Sequence, residues 1–163
     1  MEKICHPFGP VFDEHSRVLV LGTMPSPKSR EQGFYYGHPQ NRFWPVLAAV
    51  FGEDTPQTPA SRRDFALRHG VALWDVLSEC EIEGAADSSI KNPVPNDIEG
   101  LLGKAPIAAV FATGAAAARL YKKFVEPKTG RAAVALPSPS PANARWSLDA
   151  LAAKYAKILE YTK

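Results

Sequence analysis

Four short apolar runs, bounded by turn residues and separated by segments of helical period, constrain this chain more than any other feature. They are RVLVLG (Arg17 to Gly22), VALWDVL (Val71 to Leu77), IAAVFAT (Ile107 to Thr113) and RAAVALP (Arg131 to Pro137). Their aliphatic and β-branched residues run on with little polar alternation, the pattern of strands covered on both faces. Between the first two runs, Asn41 is read as the cap of a helix through Phe43, Val46, Leu47 and Val50 to Gly52, with Pro45 tolerated in its first turn. Thr58 and Pro59 open a second helix ending near Gly70, and Asp97 to Lys104 forms a short third. Gly114 opens an alanine-rich helix to Phe124, and a last one after Ser147 places Leu148, Leu151, Ala152, Tyr155, Ile158 and Leu159 at helical spacing. The stretch after Gly22 reads as a long loop, and residues 78 to 96, with Asn92, Pro93, Pro95 and Asn96, as an ordered one.

Buried strands alternating with helices predict an α/β fold, a three-layer αβα sandwich around a central four-stranded, mostly parallel sheet. The 163 residues suit one domain, 1–163. Ligands of such sheets bind outside the carboxyl ends of the strands. The loops after Leu21, Leu77, Phe111 and Leu136 are therefore expected to share one site. That expectation groups GTMPS, GFYYGHPQNRFWP, ATG and PSPSPANAR. No run approaches the roughly 20 apolar residues of a membrane span, and MEKICHPFGP lacks an apolar signal core. A soluble, monomeric, cytoplasmic protein is the expectation. Cys5 and Cys80, the only cysteines, cannot form a disulfide framework or a four-thiolate cluster and are read as structural thiols. The net charge of +2 neither announces nor forbids nucleic acid.

The aromatic loop Phe34-Tyr35-Tyr36 offers flat apolar surfaces that could sandwich a base, and Tyr36 is the ring assigned to a ligand. Asn41 presents a donor and an acceptor, fit to hold a water, read a base edge or cap a helix. His38 is open to two readings, an anion-stabilising group or a structural histidine. Pro137, Pro139 and Pro141 alternate with Ser138, Ser140 and Ala142, forming a stiff projection that ends at Asn143 and Arg145, beside a helix start that favours phosphate. A plain rigid connector would have the same composition. No GxSxG elbow, phosphate-binding P-loop or dinucleotide fingerprint is present.

In combination, GTMPS after the first strand, YYGHPQNRFW before the first helix and LPSPSPANA after the last strand resemble the uracil-DNA glycosylase superfamily. The resemblance is strongest to its hypoxanthine-DNA (deoxyinosine) glycosylase branch and runs from about Val18 to the final helix. The mismatch-specific uracil/thymine branch carries a water-positioning asparagine where this chain has Met24, in Gly22-Thr23-Met24-Pro25-Ser26. The resemblance therefore moves the catalytic role to Asn41. It implies a base flipped from double-stranded DNA, with single-stranded DNA as a further substrate. It also implies Tyr36 as the stacking ring, and Gly22, Thr23, Met24, His38 and Thr113 around the base. Ser26, Ser138, Ser140, Asn143 and Arg145 would then contact DNA, with Asn143 in the wedge that fills the vacated gap.

Breaking an N-glycosidic bond builds positive charge on the sugar and negative charge on the departing base, which preorganised dipoles and a placed water must stabilise. Backbone amides at Thr23 and Met24 are available for the base, and Asn41 for the water. No carboxylate pair is evident for the ordinary glycosidase scheme, and no metal or organic cofactor is expected. No lysine is evident for a Schiff base, and Lys28 reads as a phosphate contact. The expected activity is monofunctional excision of a deaminated base, hypoxanthine first. The alternatives are a uracil or mismatch glycosylase, a silent nucleic-acid-binding module of the same fold, or an enzyme of free nucleosides.

Overall fold

The computed structural model describes residues 2–83 and 86–162. In chain order the elements are β1 (Glu2–Cys5), β2 (Val18–Gly22), α1 (Pro27–Gln32), α2 (Phe43–Phe51), α3 (Pro59–Arg68), β3 (Val71–Asp75), β4 (Leu77–Ile82) and β5 (Lys91–Pro95). They continue as α4 (Ile98–Leu102), β6 (Ala109–Thr113), α5 (Ala115–Phe124), α6 (Glu126–Thr129), β7 (Ala133–Leu136) and α7 (Leu148–Tyr155).

The apolar runs form a four-stranded sheet in the order β3-β2-β6-β7, and every pair in it is parallel. All five residues of β2 are buried, as a central strand covered on both faces requires. Their side chains alternate between two cores. Val18 and Val20 join Phe43, Trp44, Leu47, Phe65, Leu151 and Tyr155 from α2, α3 and α7. Leu19 and Leu21 join Ile98, Leu101, Ala117, Leu120 and Tyr121 from α4 and α5, with Ile4, Cys80 and Ile82. The expected αβα sandwich is thus formed.

The ends of the strands are level. Gly22 pairs with Asp75, and Thr113 with Leu136, so the carboxyl ends of all four strands open on one edge of the sheet. This registry carries the loops to a single place.

Three sequence expectations require correction. The run Val71 to Leu77 is not one strand: it ends at Asp75, and Leu77 begins β4 in another sheet. Residues 78–96, expected to be a loop, contribute most of β4 and β5, which form an antiparallel sheet in the order β1-β4-β5. Its prolines are accommodated because β5 is an edge strand, where a missing N–H breaks no ladder. Register shifts in the β4–β5 pairing disrupt the two-residue alternation that would reveal a strand. Positions 84 and 85 of that segment lie outside the described residues. The supposed long loop after Gly22 likewise contains α1, capped by Ser26, whose hydroxyl accepts from Ser29 N at 3.2 Å.

Helix α3 begins as the sequence indicates, with a capping box: Thr58 Oγ1 accepts from Ser61 N at 3.1 Å, and Ser61 Oγ accepts from Thr58 N at 3.0 Å. Thr58→Ala removes one arm of the box and is expected to lower stability by about 1 kcal/mol, read from denaturant unfolding. An unchanged midpoint would show that the exposed helix end needs no cap.

Candidate active site

A cavity of about 150 Å³ lies at the carboxyl edge of the parallel sheet. Gly22, Thr23, Met24 and Ser26 line it from the β2 loop, Tyr36 and Asn41 from the aromatic loop, Thr113 from β6, and Ser138, Pro139 and Ser140 from the proline-rich loop. Nine of the twelve anticipated residues therefore meet at one place. Four separated segments supply them because the strands are parallel and end in register.

The three consecutive aromatics divide their work. Phe34 and Tyr35 are buried in the core, where the Tyr35 hydroxyl donates to Gly9 O at 2.8 Å and Trp44 Nε1 donates to Tyr35 O at 3.0 Å. Tyr35 also reaches the cavity lining, but of the three only Tyr36 is not buried. Its φ of 54° is unusual for a residue with a side chain, a strained conformation held by neighbouring packing. One ring face is stacked on Phe43, centroids 3.8 Å apart and planes 12° from parallel, which leaves only the other for a ligand. Its hydroxyl pairs with Thr113 Oγ1 at 3.2 Å. Burial, then the Asp75 carboxylate, push its phenol well above the ordinary value, so Tyr36 stays protonated and acts as a hydrogen-bonding ring.

Asn41 precedes α2 by two residues, and its Oδ1 accepts from Phe43 N at 2.9 Å. This Asx turn assigns the amide: the oxygen faces the helix start, and Nδ2 has no hydrogen-bond partner among the described residues. One side chain therefore both caps the helix start and lines the cavity. Ser26 likewise lines the cavity while capping α1.

His38, Asn143 and Arg145 are not among the lining residues. His38 Nδ1 accepts from Gln40 N at 3.0 Å, which ties the ring to its own turn. Asn143 Nδ2 donates to Ser138 O at 3.0 Å and braces the proline-rich loop from within, and Arg145 is exposed. Lys28 pairs with Glu31 at 3.6 Å, and among the described residues no lysine lines the cavity.

Sequence reading missed Asp75 here and left open whether the segment Asp87 to Ile90 lines the site. Asp75, the last residue of β3, and Asp87, on a 3₁₀ turn Asp87–Ser89, both line the cavity. Asp75 is 4% exposed, and its Oδ2 lies 2.8 Å from His6 Nε2. Burial raises the proton affinity of the more exposed Asp87, with Arg119 opposing and Asp75 adding to the shift. A polar residue ending an apolar run beside a predicted site loop was the available signal for Asp75. Arg42 was missed as well: its guanidinium donates to the carbonyls of Ser140, Asn143 and Trp146 in the proline-rich loop.

Among the described residues no group of three or more His, Cys, Asp or Glu side chains is arranged to hold a metal ion. No helix among them is long and apolar enough to cross a membrane.

The chain matches the family profile described as the Uracil DNA glycosylase superfamily over residues 10–163. A Methanosarcina barkeri protein named hypoxanthine DNA glycosylase is 39% identical over 100 residues, 61% of this chain; the match spans less than two thirds of that relative, 63% of its length. A Methanosarcina acetivorans protein of the same name is 33% identical over 86% of this chain and 89% of its own. A solution NMR structure from Methanosarcina acetivorans, provisionally described as a uracil DNA glycosylase, superposes with a TM-score of 0.78 and 30% identity. It covers 93% of this chain and 96% of that one.

Proposed function

Because this chain belongs to the uracil DNA glycosylase superfamily, we propose that it is a monofunctional DNA N-glycosylase acting on duplex DNA, with hypoxanthine as its principal lesion. The observation that carries the reading is the cavity at the strand ends, where Asn41 presents an amide nitrogen without a partner among the described residues, beside Tyr36 and the proline-rich loop. Two relatives named hypoxanthine DNA glycosylase support the choice of lesion.

In this reading the damaged nucleotide leaves the stack and its base enters the cavity, with Tyr36 against one face. Ser138, Ser140 and the proline between them press the gap, and Arg145 lies outside the cavity for phosphate. The C1′–N9 bond breaks with its electron pair going to the base, while backbone amides at Thr23 and Met24 stabilise the charge arriving there. Asn41 Nδ2 donates to a water and holds it toward C1′; that water supplies the hydroxyl of the abasic product, and the proton it loses balances the charge on the departed base, which leaves neutral. That no lysine among the described residues lines the cavity favours hydrolysis over an imine intermediate. No metal or organic cofactor is needed for these steps.

The test is incubation of excess protein with duplex and single-stranded oligonucleotides carrying one inosine, uracil or xanthine, followed by alkaline cleavage of abasic sites. Strand breaks at inosine are expected, competed by DNA and not by free nucleoside. Breaks at uracil alone would move the protein to uracil repair, and none at any base would leave a nucleic-acid-binding module.

A further inference from the structure

The two carboxylates of the cavity stand at different depths. Asp75, at the end of β3, is buried and tied to His6. Asp87 reaches the cavity from the side, on the 3₁₀ turn between β4 and β5, and is exposed, which places it at the rim. Its carboxyl has no hydrogen-bond partner among the described residues. The titratable and charged groups around it are Asp75 from β3, Cys80 from β4 and Arg119 from α5. A carboxyl open to solvent on one side is still desolvated by the walls on the others. That desolvation raises its proton affinity above the ordinary carboxylate value, Arg119 opposes the rise, and Asp75 adds to it.

A flipped nucleotide stays joined to its strand, so the sugar and the bond to be broken remain at the mouth of the cavity. In a purine that bond is made by N9 of the imidazole ring. When the six-membered ring fills the interior, N7 therefore stays at the level of the rim. A pyrimidine has no second ring and brings no basic nitrogen to this level. N7 is the most basic ring nitrogen of a hypoxanthine nucleoside, and a proton there lets the bond electrons settle into a neutral leaving group. A protonated carboxyl at the rim is the group that could supply it. Two carboxyls of unlike environment in one cavity are suited to unlike tasks.

We propose, resting on the glycosylase reading, that Asp87 is the catalytic acid that protonates N7 of the flipped base, and that it adapts the cavity to purines. As the C1′–N9 bond breaks, its electron pair moves into the imidazole ring, the Asp87 O–H bond breaks and an N7–H bond forms. The base departs neutral and Asp87 is left as a carboxylate. The water held by Asn41 forms its bond to C1′ and gives up a proton, which restores the acid. One water is thus divided between base and sugar, and nothing else is consumed. Asp75 is not free for this step, because its Oδ2 is held 2.8 Å from His6 Nε2. Arg119 has a tuning role: by opposing the rise in proton affinity it keeps the acid able to release its proton.

The experiment measures single-turnover excision of inosine and of 7-deazainosine, whose N7 is replaced by C–H, across a range of pH in duplexes of one sequence. In the native protein the inosine rate should fall as pH rises through the raised Asp87 value, because only the protonated carboxyl acts. Asp87→Asn keeps the side-chain shape but cannot transfer a proton. It should slow inosine excision by about 10²-fold and abolish that limb of the pH profile. The inosine-to-7-deazainosine ratio should fall at least about tenfold in the same variant, since 7-deazainosine offers no N7 to protonate. Arg119→Ala, which removes the opposing cation, should move the limb to higher pH. An Asp87 that merely holds its turn would lower the melting temperature and slow both substrates alike. A native inosine rate and pH profile in Asp87→Asn, or an unchanged ratio, overturns the inference and leaves the glycosylase reading standing. If Asp87→Asn fails to fold, an unmoved limb in Arg119→Ala overturns it equally. No excision of inosine by the native protein at any pH would defeat the glycosylase reading, and this inference with it.

Discussion

Asn41→Ala is expected to slow single-turnover excision of hypoxanthine by about 10²- to 10³-fold, the usual effect of deleting one preorganised polar group at a reacting centre. The truncation removes the Nδ2 donor in the cavity and also the acceptor for Phe43 N at the start of α2. The second loss costs about 1 kcal/mol of stability, so a slow enzyme could be misread as a poorly folded one. Asn41→Asp separates the two. Its carboxylate still accepts from Phe43 N, which preserves the helix start, but it cannot donate to a water. Near-native melting with excision as slow as in Asn41→Ala would place the defect in the chemistry, while inosine-duplex affinity is expected to survive in both variants. A native single-turnover rate in Asn41→Ala would remove the residue from the mechanism.

Arg42→Ala is expected to cost about 3 kcal/mol of stability and at least tenfold in affinity for an inosine duplex, through loss of several charge-assisted hydrogen bonds. Nη2 donates to Ser140 O and Asn143 O at 3.0 Å each, and Nη1 donates to Trp146 O. The backbone N of Arg42 adds a bond to Pro139 O at 3.0 Å. One residue thus holds the proline-rich loop against the segment that carries Asn41, and the truncation leaves several loop carbonyls without donors. Arg42→Lys should fail to rescue, because a single ammonium cannot reproduce the planar fork that spans three carbonyls. Thermal melting reads the first effect. Affinity is best measured in the Asn41→Ala background, where the lesion stays intact. Unchanged binding with lowered stability would show that the clamp serves the fold and not DNA recognition.

The residues legible beforehand share a property: their neighbours along the chain announce them. Tyr36 and Asn41 lie in a loop of aromatic, glycine and proline residues, and Ser138 and Ser140 in a proline alternation. Asp75 was hidden because VALWDVL reads as one apolar strand, and only the split at Val76 puts the carboxylate on the edge of the sheet. The place of Asp87 stayed open because the prolines of β5 mimic a loop, and the hairpin that brings it to the cavity forms only by pairing with β4 and β1. The three loop carbonyls that Arg42 holds lie 98 to 104 residues away in sequence, and the His6–Asp75 pair spans 69. No local pattern encodes such distances.

The sequence by itself determined the layered α/β architecture, because four buried runs separated by amphipathic helices can cover their apolar faces only by stacking in three layers. It also determined where the site lies, because parallel strands present their carboxyl ends on one edge. Tertiary structure alone decided the chemistry of the cavity floor. Hydrogen-bond direction depends on which groups are already satisfied, and the commitments of Tyr36 to Thr113, Thr113 to Leu21 and His6 to Asp75 exist only once strands and loops distant in sequence have packed together.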